Sequence, residues 1–201
     1  MANAFRTSAI SAVAVLTLLV VAPVTHAQVE QPEPAALPPA SPEQELDQLF
    51  ADLKRESDPG EARAIVSNIW AEWNRSGSAT VDLLMQWANE AMEDDRNGTA
   101  LDLLDQVTVL RPEFAEGWNR RATLHYMMDD HRKSMADINR VLELEPRHFG
   151  ALSGMAAILS DAGNERLALR AFKRVLDVYP ADRNAQRRVG ELEEELAGDP
   201  V

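Results

Sequence analysis

The sequence predicts an all-α solenoid built from antiparallel helix hairpins, and three observations carry that prediction. The stretch from Ala115 to Pro146 (AEGWNRRATLHYMMDDHRKSMADINRVLELEP) matches itself when slid by 34 residues in either direction. Trp118 then falls on Leu84 and Leu152, Ala122 on Ala88 and Ala156, and Ser134 on Ala100 and Ala168. In the same register Ile138 falls on Leu104 and Phe172, Val141 on Val107 and Val175, and Pro146 on Pro112 and Pro180. A fixed period of this length marks a stacked array in which no unit buries its apolar face alone. The second observation is a pair of apolar stripes in each unit, such as Leu84, Trp87, Ala88, Ala91 and then Ala100, Leu104, Val107, Leu110. Spacings of three and four residues place each set on one side of a helix. The third is the proline closing each unit, which lacks an N–H donor and clashes with the preceding turn, so it stops the second helix.

Three gapless units follow, 81–114, 115–148 and 149–182. Small residues at Ala88, Ala122 and Ala156 oppose Ala100, Ser134 and Ala168, which lets the two helices of a hairpin approach closely. Gly163-Asn164 reads as the turn between the helices of the last unit. Period and residue types together resemble the tetratricopeptide repeat, a helix–turn–helix unit. The resemblance implies a right-handed superhelix whose concave channel is lined by the first helix of each unit and takes an extended peptide or a partner helix.

The chain opens with one basic residue, Arg6, an apolar run Ile10–Val21, and Thr25-His26-Ala27. This reads as a signal peptide over 1–27 with scission after Ala27. The run is short for a membrane helix, which needs about 20 apolar residues. An uncleaved anchor is the alternative, and only then does the chain contact a membrane. Either way the expectation is a periplasmic or secreted protein. There is no cysteine, so neither a lipid anchor of the bacterial type nor a disulfide is available. Residues 28–42 (QVEQPEPAALPPASP) are proline-rich without a stripe and read as a disordered linker.

The repeat domain is expected over 43–197. Ser41-Pro42-Glu43-Gln44 supplies a serine cap, a proline in the first turn and an early carboxylate. Leu46, Leu49, Phe50 and Leu53 form one stripe, Asp58-Pro59-Gly60 breaks it, and Ala62, Val66, Ile69 and Trp73 form the next. The spacing matches that of the later units, so 43–76 reads as a degenerate repeat, expected to seal the upstream end of the stack. Past Pro180, residues 183–197 read as a capping helix: Val189, Leu192 and Leu196 turn inward and a charged face turns to water.

The whole chain carries 20 basic and 33 acidic residues in 201, a net charge of −13. Residues 43–105 hold 15 acids against 5 bases, and residues 106–190 hold 11 against 14. This balance argues against nucleic acid, whose binders neutralise phosphates. It leaves room for a partner of complementary charge. His125, His131 and His148 have no metal-ligand spacing, and His125 reads as a core or groove histidine. Asp94-Asp95 and Asp129-Asp130 sit at the inter-helix turns and read as caps of the following helix rather than as catalytic pairs. No phosphate loop or nucleophile elbow is present, so no enzymatic activity, cofactor, metal or small-molecule substrate is read. Trp70, Trp73, Trp87 and Trp118 lie on apolar stripes and read as core. Arg121 stands where an apolar residue is expected, and a reach toward Asp94 or Asp95 would explain it.

What the resemblance implies for binding is a groove formed by Met85, Asn89 and Met92; by Asn119, Thr123, Tyr126 and Met127; and by Ser153 and Ser160, with Arg187 closing the far end. Met-bearing surfaces adapt to varied apolar side chains. The asparagines, lysines and arginine that clamp acidic chaperone tails in one branch of the family are largely missing: the matching places hold Met85, Gln86, Asn119, Arg120, Ser153 and Gly154. The reading is an adaptor that binds a protein or peptide. The alternative is a non-catalytic structural subunit held by its convex face or capping helix.

Overall fold

The computed structural model describes residues 41–198. The signal segment and all but the last two residues of the linker therefore lie outside the described part. Helices run α1 Pro42–Arg55, α2 Pro59–Trp73, α3 Ala79–Glu93, α4 Asn97–Leu110, α5 Ala115–Met127, α6 His131–Leu144, α7 Phe149–Asp161, α8 Glu165–Val178 and α9 Arg183–Gly198. Among the described residues there is no strand, and the helices pair as the hairpins the sequence predicts.

Local chemistry fixes the helix ends. Ser41 and Gln44 form a capping box at α1, and the Asp58 carboxylate accepts from the N–H groups of Gly60 and Glu61 at the start of α2. The three repeat turns share one device. Asp95, Asp129 and Gly163, each 34 residues from the next, hold left-handed backbone with φ of 56°, 62° and 68°. The residue after each donates its N–H back to Ala91, His125 and Leu159 at 2.8 Å, the long bond of a Schellman turn. The paired aspartates thus divide the work differently from the expectation of capping. Asp130 caps α6 by accepting from the Lys133 N–H, while Asp95 and Asp129 take the left-handed position, which Asp tolerates better than most residues.

The repeats stack in sequence, α4 on α5 and α6 on α7, with α9 laid on α8. Val81, Leu84, Ala88, Leu104, Val107 and Leu124 form one cluster across the first seam. Ala122, Ile138, Val141, Ala151 and Ile158 form another across the second. Position 3 of the second unit faces the preceding repeat so closely that Gly117 has no room for a side chain: a Cβ there would lie 2.6 Å from Val107 Cγ1.

The degenerate hairpin is not where the sequence placed it. Phe50, Leu53, Ala62, Ile69 and Trp73 share a cluster with Phe149, Leu152, Phe172, Val175 and Leu192, at the far end of the array from α3. Trp73 stacks on His148 at 4.0 Å between ring centroids, and Trp70 meets Phe149 edge-on at 5.6 Å. Arg147 lies over the Phe50 ring and pairs with Asp47 at 2.7 Å. The hairpin therefore buries its stripes on the third repeat, against the aromatic residues around the α6–α7 turn. A consequence is that Trp87, read as core, is 47% exposed.

Candidate functional site

The surface that could bind a partner is a cleft between the first helices of the second and third repeats. Asn119, Ala122, Thr123 and Tyr126 of α5 form one wall, and Gly150, Gly154, Ala157 and Ile158 of α7 form the other. Ser134 and Ile138 of α6 form the floor, and the half-open cavity is about 170 Å³. Small residues on α7 line this space, and a Cβ at Gly154 would lie 3.3 Å from Ile138 Cδ1, so the glycine lets α6 and α7 approach closely. Ser134 donates to the Ala122 carbonyl at 2.8 Å, which holds the two helices of the hairpin together beneath the cleft.

Polar groups are set along one rim. The Tyr126 hydroxyl donates to Asp161 Oδ2 at 2.8 Å, bridging α5 to α7. That bond, with the carboxylate charge behind it, raises the phenol above its ordinary pKa, so it stays a donor. Thr123 donates to the Asn119 carbonyl. The Asn119 amide donates to Glu116, a fully buried carboxylate that also receives Arg120 at 2.9 Å and lies 3.4 Å from His148 Nε2. His148 Nδ1 accepts from the Ala151 N–H at the start of α7. With Nδ1 accepting, Nε2 is the nitrogen left to carry a proton, and it faces Glu116. This chain ties the cleft wall to the α6–α7 turn and, through the Trp73 stack, to α2. Trp70 presses on Gly150, with its ring 3.0 Å from where a Cβ would stand, so the N-terminal hairpin borders the cleft.

The predicted groove residues divide. Asn119, Thr123 and Tyr126 are brought together at the cavity. Met85 is not a groove residue: it is buried in the first-seam cluster with Leu84 and Leu124, where a flexible apolar chain gains more than in water. Met92 is half-buried on the same cluster. Asn89 and Ser160 each hold a buried oxygen without a hydrogen-bond partner among the described residues. Ser153 is half-buried and Met127 exposed, and neither lines the cavity. Arg187 interacts along its own helix, with Asn184 and Glu191, rather than closing the cleft. Sequence reasoning missed Gly150, Gly154, Glu116 and Trp70. The two glycines were the available signal, since glycine inside a helix costs about 1 kcal/mol relative to alanine and calls for a packing reason.

Behind the cleft, Arg121 reaches neither Asp94 nor Asp95. Its guanidinium grips both oxygens of Asp137 at 2.8 Å, and it also bonds Asp105 at 2.8 Å and Thr108 at 3.0 Å while lying over the Trp118 ring. A residue at this position faces the second helix of the preceding repeat, and the inter-helix turn is out of its direction. The Asp137 bond raises the arginine pKa further. His125 beside it is held below its ordinary pKa by burial.

No family model matches the chain. A TPR repeat-containing protein of Rhizobium etli is 61% identical over 160 residues, covering 80% of this chain and 78% of that protein. Among solved structures, the first TPR of Spaghetti (RPAP3) bound to the HSP90 peptide SRMEEVD is similar with a TM-score of 0.57 at 18% identity, covering 60% of this chain and 96% of that one. The Sgt2 TPR domain from Aspergillus fumigatus gives 0.55 at 18%, over 62% and 87%. MamA gives 0.54 at 17%, over 76% and 84%. Those likenesses speak for the fold, and the Rhizobium relative settles the membership: this chain belongs to the tetratricopeptide repeat family.

Proposed function

We propose that the chain is an exported, non-enzymatic adaptor that holds an extended peptide, or an extended segment of a partner protein, in the cleft between α5 and α7. The observation that carries the reading is the pairing of a small-residue wall, Gly150, Gly154 and Ala157, with the polar rim of Asn119, Thr123 and Tyr126. A peptide backbone needs hydrogen-bond partners at one edge and room for alternate side chains at the other. The cavity suits one apolar side chain of modest size. An acidic tail suits it poorly, because Asp161 stands at the rim and Arg120 is already engaged by Glu116. Support from relatives is limited to fold: the Spaghetti domain that holds an HSP90 peptide uses the same hairpin stack.

The test is a pull-down from envelope extracts comparing wild type with Asn119→Ala/Tyr126→Ala. The adaptor reading expects the double substitution to lose the captured partner; full retention refutes it. Export is tested separately by N-terminal sequencing of the secreted or periplasmic chain, which should begin at Gln28. A structural subunit held by its convex face is the second reading. It is favoured by Val109 and Leu110 of α4, which stand 79% and 53% exposed.

A further inference from the structure

We propose a second docking surface, on the outer face of α3, for a cationic amphipathic helix of another protein. The face is identified by its copies. In the second and third repeats, positions 3, 7 and 10 of the first helix build the seam with the preceding repeat: Gly117, Arg121 and Leu124, then Ala151, Met155 and Ile158. The same positions in the first repeat are Leu83, Trp87 and Glu90. Among the described residues no repeat precedes them in the stack, because the α1–α2 hairpin is committed to the Phe149 cluster. Leu83 is 42% and Trp87 47% exposed, so among the described residues a face built as a helix-packing seam has no helix on it.

Its charge names the partner. Residues 79–110 carry seven acids and one base, all exposed, and the base, Arg96, is paired with Asp94. Leu83, Trp87, Glu90 and Asp94 form one helical stripe, two apolar residues followed by two acids. A matching helix presents apolar side chains against Leu83 and Trp87, with Lys or Arg flanking them toward Glu90 and Asp94. A second copy of this chain is disfavoured, since pairing α3 with α3 would set these acids against each other. A tryptophan at the centre of such a contact, ringed by charge, is the usual anchor of a helix interface.

The experiment uses the folded protein and two labelled peptides of 18 residues. Both carry the same leucine stripe; one bears lysines on its flanks and the other glutamates. Fluorescence anisotropy should show the lysine peptide binding about ten-fold or more tightly than the glutamate peptide, and weakening as salt rises. Leu83→Ser/Trp87→Ser should lose about ten-fold or more of that affinity. Glu90→Gln/Asp94→Asn should lose a smaller part, and Asn119→Ala/Tyr126→Ala none, which separates this surface from the cleft. All three variants change exposed or partly exposed residues, and circular dichroism confirms that they fold. Equal binding of the two peptides, or undiminished binding to Leu83→Ser/Trp87→Ser, overturns the proposal. So does sedimentation showing a wild-type dimer that Trp87→Ser dissolves, since the occupant would then be a second copy.

Discussion

The two seams of the stack solve one geometric problem with different chemistry. Between the second and third repeats, Ala151, Met155 and Ile158 meet Ala122, Ile138 and Val141 in an apolar joint. Between the first and second, the position equivalent to Met155 is Arg121, whose guanidinium makes four hydrogen bonds to Asp137, Asp105 and Thr108. The apolar joint depends on area and degrades in proportion to what is removed. The polar joint depends on completeness, because a buried charge left without its partner costs more than the pair contributes. Repeat homology therefore fixes where a seam lies without fixing what it is made of.

The largest expected effect breaks the polar seam. Arg121→Met leaves Asp137, 5% exposed, without its cation and should lower unfolding stability by about 3 kcal/mol. Arg121→Met/Asp137→Leu should recover most of that loss in denaturant titration; an additive double mutant would show that the network is not the source. Met155→Ala at the matching place of the apolar seam should cost about 2 kcal/mol, at the low end for such truncations because the side chain is only half-buried. Gly117→Ala crowds Val107 and should cost about 1–2 kcal/mol despite alanine's better helix propensity. Asp129→Gly relieves a left-handed aspartate and should raise stability by less than about 1 kcal/mol.

A pH measurement sharpens the same contrast. Burial depresses the His125 pKa in the fold, so below its ordinary value of 6.5 the unfolded chain binds more protons than the folded one. Stability from the neutral ring is complete above that value and declines as pH falls through it. The decline should be shallower in His125→Gln, which removes the titrating ring beside the polar seam. Parallel pH profiles for the two proteins would contradict the assignment.

Much of this was legible in the letters. The 34-residue phase located α3 to α8, Ser41-Pro42 marked the start of α1, and Gly163 marked a left-handed turn that Asp95 and Asp129 share. Stripes report that a face is buried and are silent on what buries it. That is why α1–α2 was expected upstream and is found on Phe149, and why Trp87 was read as core. Of the groove residues inherited by position, Asn119 and Thr123, short and polar, line the α5–α7 cleft. The inheritance failed at Met85, whose length lets it fold into the seam. Asp137 was not anticipated as the partner of Arg121, because residues 16 apart on antiparallel helices have no local sequence signature.

Under the proposed function, recognition takes place in the α5–α7 cleft. A photo-crosslinking residue installed at Ala157, in the cleft wall, tests it most directly. Irradiation in envelope extracts should yield a defined adduct, Asn119→Ala/Tyr126→Ala should abolish it, and the same probe at exposed Asn139 on α6 should yield none. An adduct at 139 with nothing at 157 would place the partner on the other side of the repeat and contradict the account.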